Sequence, residues 1–148
     1  MNSRKLCSLL CAAALFSSSA VLADNSTSVS GYTIHHNAFT TDTLTQEVAK
    51  AYGIQRSRFR GLLNVSVIKE EAGTTGKSVP AEVEVKTVEL SGQANRLPMR
   101  EIKEQDATYY IGELAVQNGQ KVTFAIEVSP EGSDEKINMT MDQQFFGD

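Results

Sequence analysis

The chain has 148 residues, with 14 lysines and arginines against 18 aspartates and glutamates, which gives a formal net charge of −4 at pH 7. This length suggests one domain. An acidic chain is a poor candidate for binding nucleic acid or an anionic membrane surface, because both require basic patches. We therefore expect no nucleic-acid partner.

Residues 1–23 have the three-part pattern of a secretory signal peptide: two basic residues, an apolar run over residues 6–16 and small residues up to Ala23. The run is too short to cross about 30 Å of hydrocarbon. We predict cleavage after Ala23, a periplasmic product and no stable membrane anchor. Both cysteines, Cys7 and Cys11, lie in this leader. The mature chain would have no thiol for a disulfide, a metal or a nucleophilic reaction.

The mature chain begins with a small, polar stretch, residues 24–30, which predicts a flexible lead-in before a single domain over residues 31–148. Period-two alternation over residues 32–39 predicts the first strand. The pattern then becomes helical, because Thr45 is a good N-cap and Gly53 a good C′ residue. These two signals predict a helix of only two turns.

From Arg60 onward the alternation of strands returns. The predicted strands cover residues 60–68, 79–90, 97–103, 108–116, 122–128 and 137–145. In the run at 79–90 the apolar residues change from odd-numbered to even-numbered positions at Val88, which predicts a β-bulge near Lys86 or Thr87. Pro98 cannot donate to a ladder, so its strand is expected at a sheet edge. Asn118-Gly119 predicts a type I′ hairpin turn.

About seven strands without βαβ alternation predict an all-β fold. The pattern favours an antiparallel, immunoglobulin-like β-sandwich of about seven strands, with one short two-turn helix after the first strand. A small closed barrel is the competing architecture. The sequence of the mature chain has neither the cysteines nor the tryptophan of a true immunoglobulin core.

His35 and His36 are the only histidines, and they are adjacent on a predicted strand. Neighbouring strand residues point to opposite faces, so the two imidazoles cannot hold one metal ion together. No spaced cluster of other ligands accompanies them. We therefore predict no metal ligand, no cofactor and no catalytic residue. One histidine should be partly buried and hydrogen-bonded, and the other solvated.

Arg56, Arg58 and Arg60 alternate just before a predicted strand. In an extended chain all three guanidinium groups would project to one side and could hold an acidic partner. The alternative is ordinary cross-strand pairing with acidic residues of a neighbouring strand, for which Glu101, Glu104 and Asp106 are the candidates. With His35 and His36, the three arginines form the predicted partner-binding surface.

Four segments resemble a domain-of-unknown-function family of small exported proteins from Gram-negative bacteria. They are YTIHHNAF (32–39), LTQEVAKAYGIQRSRFRGLLNVSV (44–67), MREIKEQDATYYIGE (99–113) and QQFF (143–146). The resemblance implies export and a single domain. It implies no activity and no catalytic residues.

The sequence thus favours a periplasmic, non-enzymatic interaction or binding module whose partner is an envelope protein or a small ligand. Two alternatives stay open. One is a metal-dependent or other hydrolase that uses His35 or His36, since histidine titrates near neutral pH. The other is a small-ligand carrier with its ligand in a barrel mouth or between the sheets.

Overall fold

The computed structural model describes residues 25–146, so the predicted leader lies outside the described residues. Ten strands form two antiparallel sheets that pack as a β-sandwich. The strands are β1 (Ser26–Val29), β2 (Tyr32–Thr40), β3 (Arg60–Lys69), β4 (Lys77–Ser78), β5 (Ala81–Val88), β6 (Ala94–Leu97), β7 (Arg100–Glu104), β8 (Ala107–Ala115), β9 (Lys121–Pro130) and β10 (Ile137–Gln144). A 3-10 turn (Thr41–Thr43) and one helix, α1 (Gln46–Ala51), follow β2.

The larger sheet has the strand order β1-β2-β3-β8-β7, with β4 paired to β3, and the smaller sheet has the order β10-β9-β5-β6. The chain crosses from β6 at the edge of the smaller sheet to β7 at the edge of the larger sheet. Pro98 lies in this crossing, so the predicted strand at 97–103 is divided in two. Both pieces are edge strands, which is where proline is tolerated.

The β-sandwich is confirmed, with more strands than the seven that the sequence predicts. The predicted flexible lead-in at residues 24–30 contains a strand, because β1 pairs with β2 from Ser26↔His35 to Val29↔Tyr32. The helix consequently follows the second strand. The signal for β1 is weak in the sequence because an edge strand has few buried positions, and here it reads STSV.

The predicted bulge near Lys86 or Thr87 is wrong. The pairing of β5 with β9 is continuous from Ala81↔Pro130 to Val88↔Thr123. Val88 lies on the outer face of the sheet, and Leu90 lies beyond the strand in a turn. The change from odd to even apolar positions therefore marks the end of the buried face of β5, and the strand contains no bulged residue.

The core lies between the two sheets. Its largest fully buried side chains are Phe124, Phe145, Ile34, Leu63 and Ile126, and Phe124 meets Phe145 edge-on with ring centroids 6.4 Å apart. Burial of each such side chain contributes about 1.5–3 kcal/mol.

A second, smaller apolar cluster forms where α1 covers part of the outer face of the larger sheet. Ala49 of α1 and Ile54 pack there on Leu62 of β3 and Ile111 of β8. The N-cap is confirmed, because Thr45 Oγ1 accepts a hydrogen bond from the Val48 amide at 3.2 Å. The helix is a single six-residue segment, so packing on the sheet must hold it.

The strand registers bring four segments to one end of the sandwich. They are residues 41–59, 89–93, 116–120 and 145–146, which border the ends of β2, β5, β8 and β10. We call this end, defined by these four segments, the loop end.

Candidate functional site

The two histidines lie on opposite faces of β2. His35 is exposed on the outer face of the larger sheet. His36 points between the sheets and is 6% exposed. Its Nε2 lies 3.2 Å from Thr27 Oγ1, and its Nδ1 lies 3.2 Å from Met141 Sδ. His36 therefore connects β1, β2 and β10 at the side of the sandwich where the two sheets meet.

The residues that the structure describes contain no group of three or more histidine, cysteine, aspartate or glutamate side chains that could hold a metal ion. The contact of His36 with Met141 is of another kind, an imidazole nitrogen beside a thioether sulfur. The two residues are 105 positions apart in the chain. Sequence reasoning missed Met141 because only the packing of β10 against β2 brings it to the histidine.

The three arginines do not form the predicted extended row. The chain turns before β3, since the Arg60 amide donates to the Ser57 carbonyl at 3.3 Å and the Phe59 amide donates to Ser57 Oγ at 3.1 Å. A turn rotates successive side chains away from one common side. Arg56 instead donates to the Asp42 carbonyl at 2.8 Å.

Arg58 and Arg60 also have separate surroundings. The Arg58 guanidinium carbon lies 4.8 Å from the centre of the Phe59 ring, which is a cation–π distance. Arg60 Nη1 lies 3.6 Å from Glu113 Oε1, and Arg100 Nη2 lies 4.0 Å from Glu113 Oε2. Cross-strand pairing thus occurs for Arg60, and its partner is Glu113 rather than the three acidic residues expected from the sequence.

The loop end carries the most exposed apolar side chains of residues 25–146. Leu90 is 92% exposed, Phe146 is 63% exposed and Phe59 is 53% exposed. Of the Phe145-Phe146 pair, Phe145 enters the core and Phe146 faces solvent. Val29, 41% exposed, lies at the opposite end of the sandwich. The loop end thus exposes more large apolar side chains than the opposite end of the described sandwich does.

A family model described as a domain of unknown function, DUF4426, matches residues 26–148. The chain belongs to the DUF4426 family. The match covers all ten strands, and its description gives no activity. A comparison with curated proteins gives no match.

The DUF4426 fold recurs in solved structures. A DUF4426 protein from Pseudomonas aeruginosa PAO1 is 25% identical, with a TM-score of 0.69 over 83% of this chain and 94% of that chain. A copper-bound variant of FetP from uropathogenic Escherichia coli strain F11 is 8% identical, with a TM-score of 0.59 over 82% of this chain and 94% of that one. FetP as isolated after recombinant expression in the E. coli periplasm is also 8% identical, with a TM-score of 0.58 over 82% of this chain and 93% of that one. The likeness to FetP shows a common fold.

Within residues 25–146, no helix has the length and apolar character needed to cross a membrane.

Proposed function

We propose that this DUF4426 protein is an exported, non-enzymatic module that binds a partner protein of the cell envelope through its loop end. The observation that carries the proposal is the position of Leu90, Phe146 and Phe59. Large apolar side chains in contact with water favour association, and these three all lie at the same end of the sandwich. Sandwich domains commonly bind through the loops at one end.

The charged groups of the loop end indicate what kind of partner fits. Arg58 stacks on the ring of Phe59, which forms an aromatic and cationic pair of the type that dominates protein interfaces. Arg56, which also belongs to the loop end, donates a hydrogen bond to the Asp42 carbonyl. A partner surface with an apolar centre and acidic groups around it would complement this arrangement.

Export is part of the same proposal. Its support is the leader pattern at residues 1–23 and the common fold with FetP, which was expressed in the E. coli periplasm. A partner of a periplasmic module would be another envelope protein.

Site-specific photocrosslinking in living cells tests the proposal. The photoreactive residue benzoylphenylalanine replaces Phe59 in one variant and Phe146 in a second, and Val29 in a matched control at the opposite end. We expect discrete crosslinked adducts from positions 59 and 146, and none from position 29. Arg58→Glu should reduce the adduct formed from position 146, because it reverses the charge beside the apolar groups.

Two results would contradict the proposal. One is the absence of any adduct above background from positions 59 and 146. The other is the same set of adducts from position 29, which would indicate that other proteins contact both ends of the sandwich without preference for the loop end.

A second candidate function, the handling of copper, is favoured by the contact between His36 and Met141. Imidazole nitrogen and thioether sulfur are ligands that suit Cu(I). The two atoms are 3.2 Å apart, so a small separation of β2 and β10 would let one ion contact both. A variant of FetP, which shares the fold, has been solved in a copper-bound form. The ion would be cargo of the protein, held by His36 Nδ1 and Met141 Sδ.

Competition for Cu(I) with the chelator bathocuproine disulfonate tests this second candidate. The unmodified protein should withdraw Cu(I) from the chelator, and His36→Gln and Met141→Leu should each abolish the withdrawal. His35→Gln is the matched control, because it removes the neighbouring imidazole from the other face of β2. Equal competition by His36→Gln and the unmodified protein would exclude a copper site at this contact.

A further inference from the structure

A cavity of about 290 Å³ lies between α1 and the outer face of the larger sheet. The helix segment covers one side of it through Val48 and Tyr52, and Leu62 and Ile111 lie in its floor. The cavity is open to solvent, and Ile102 and Glu104 of β7 are among the residues that line it. Its volume is close to the lower end of the usual range for small-molecule sites, roughly 300 Å³. It lies outside the sandwich, whereas the sequence suggested a carrier site within a barrel or between the sheets.

Three aromatic residues are among those that line the cavity. Phe39 comes from β2, Tyr52 follows α1, and Tyr109 comes from β8. Three separate elements thus bring aromatic side chains to one small volume. The faces of aromatic rings attract cations, and cages of such rings recognise alkylated ammonium groups.

Glu104 is the single charged residue among those that line the cavity within residues 25–146. Its Oε2 accepts a hydrogen bond from the Tyr52 hydroxyl at 2.6 Å, which holds the carboxylate at the mouth. The nearby Arg100 guanidinium donates to the Tyr52 carbonyl and lies 4.0 Å from Glu113. The positive charge of Arg100 is therefore engaged by these partners. The charge that lines the cavity is the negative charge of Glu104.

Asn64 adds an unusual polar group to the apolar floor. Its Oδ1 is buried and has no hydrogen-bond partner among residues 25–146. Such an atom destabilises a packed interior, because it has lost its hydrogen bonds to water and gained none in return. A floor that only had to pack would be more stable with an apolar residue here. A ligand with a hydroxyl or N–H group could satisfy the amide after a rotation of the side chain.

We infer that this cavity, which we call the helix pocket, binds a small organic ammonium ion between its aromatic rings and the Glu104 carboxylate. The apolar floor accommodates alkyl groups on the nitrogen, the ring faces attract the positive charge, and the carboxylate compensates it. The helix pocket borders the loop end, because residues of the 41–59 segment line it, but Leu90, Phe146 and Phe59, which carry the partner-binding proposal, are not among its lining residues. The inference names a ligand class that partner binding does not require.

Binding of choline, compared with its neutral carbon isostere 3,3-dimethylbutan-1-ol, tests the inference. Both probes have the same shape around the central atom, and only choline carries the charge. We expect choline to shift the amide resonances of α1, β7 and β8 in a saturable way, with the neutral isostere binding about tenfold more weakly. Calorimetry gives the two affinities.

Two variants and one control place the binding in the helix pocket. Glu104→Gln at the surface of β7 should weaken choline binding by about tenfold, and Tyr109→Leu should do the same by removing a ring. Glu82→Gln is the matched control, since it removes one carboxylate from the outer face of the opposite sheet and should leave the affinity unchanged. Three results would overturn the inference. They are no saturable choline binding, equal affinity for the neutral isostere, and unchanged affinity in Glu104→Gln.

Discussion

Thr41 ties the connection between α1 and β3 to the end of β2 with one hydroxyl. It is fully buried, and its Oγ1 donates towards the Gln55 carbonyl at 2.8 Å and the Ser57 carbonyl at 3.1 Å. The same oxygen accepts a hydrogen bond from the Ser57 amide at 2.9 Å. The position of the segment around Gln55 and Ser57 therefore depends on this single hydroxyl group.

Thr41→Val should lower the free energy of unfolding by about 1–3 kcal/mol, because it leaves buried backbone groups without partners in nearly the same volume. The shift of the urea midpoint measures this loss. Thr140→Val, on the exposed face of β10, is the control and should change the free energy by less than about 0.5 kcal/mol. An unchanged midpoint for Thr41→Val would show that the buried hydroxyl contributes nothing.

Tyr110 joins the two sheets. Its hydroxyl accepts a hydrogen bond from the Ala81 amide of β5 at 2.8 Å and donates to Glu101 Oε2 at 3.0 Å. Burial raises the pKa of Tyr110 above its ordinary value of 10.0, and the Glu101 carboxylate raises it further, against an opposing effect of the Ala81 amide. The folded protein therefore favours the protonated phenol.

We expect stability to fall as the pH rises above about 10, because the unfolded tyrosine loses its proton first. The stabilisation that the protonated Tyr110 contributes is complete at pH values below the pKa of the unfolded state. It is lost as the pH rises through the pKa of the folded state. Tyr110→Phe should flatten this alkaline decline, as seen in urea unfolding at about pH 8 and about pH 11. Some decline should remain, since the hydrogen bond to Glu104 also raises the pKa of Tyr52. An identical decline in Tyr110→Phe would contradict the assignment.

At the scale of elements, α1 shows what local sequence signals can predict. Thr45 and Gly53 mark its two ends, and the structure has the cap bond at Thr45 and a positive φ of 65° at Gly53. These signals work because the groups that interact are three or four residues apart. β1 could not be predicted in this way, since only its pairing with β2 makes it a strand.

Thr45→Ala should lower the free energy of unfolding by about 1 kcal/mol and speed amide hydrogen exchange at Val48, because the cap bond is lost. Thr45→Asp should restore both values, since aspartate caps equally well. Unchanged exchange at Val48 in Thr45→Ala would mean that the cap bond does not hold the helix.

At the scale of the whole molecule, the alternation of apolar residues predicts two packed sheets but leaves the strand order open. That order decides which distant residues meet. It brings Met141 to His36, gives Arg60 its partner Glu113, and gathers Leu90, Phe59 and Phe146 at one end. The spacing of the candidate residues along the sequence therefore could not predict which residues they would contact.

Export should yield a mature chain that begins at Asp24, because the small residues before it fit the signal-peptidase pattern. The intact mass of the protein recovered from periplasmic extract checks this. Ala23→Arg should leave the uncleaved precursor, and Asp24→Asn, on the other side of the bond, should be processed normally. A recovered mass that includes residues 1–23 would disprove the cleavage site.

The position of β1 also bears on the order in which the molecule assembles. Only Asp24 and Asn25 separate the predicted cleavage bond from β1, and two extended residues reach at most about 7 Å. If the leader were held in the membrane before cleavage, β1 would thus lie at the bilayer surface, where its pairing with β2 would be hindered. Because β1 borders β2 alone, the other nine strands could assemble first. Thr27 would then contact His36 only after the leader is cleaved. Cleavage would therefore also be the step after which β1 covers the His36 imidazole.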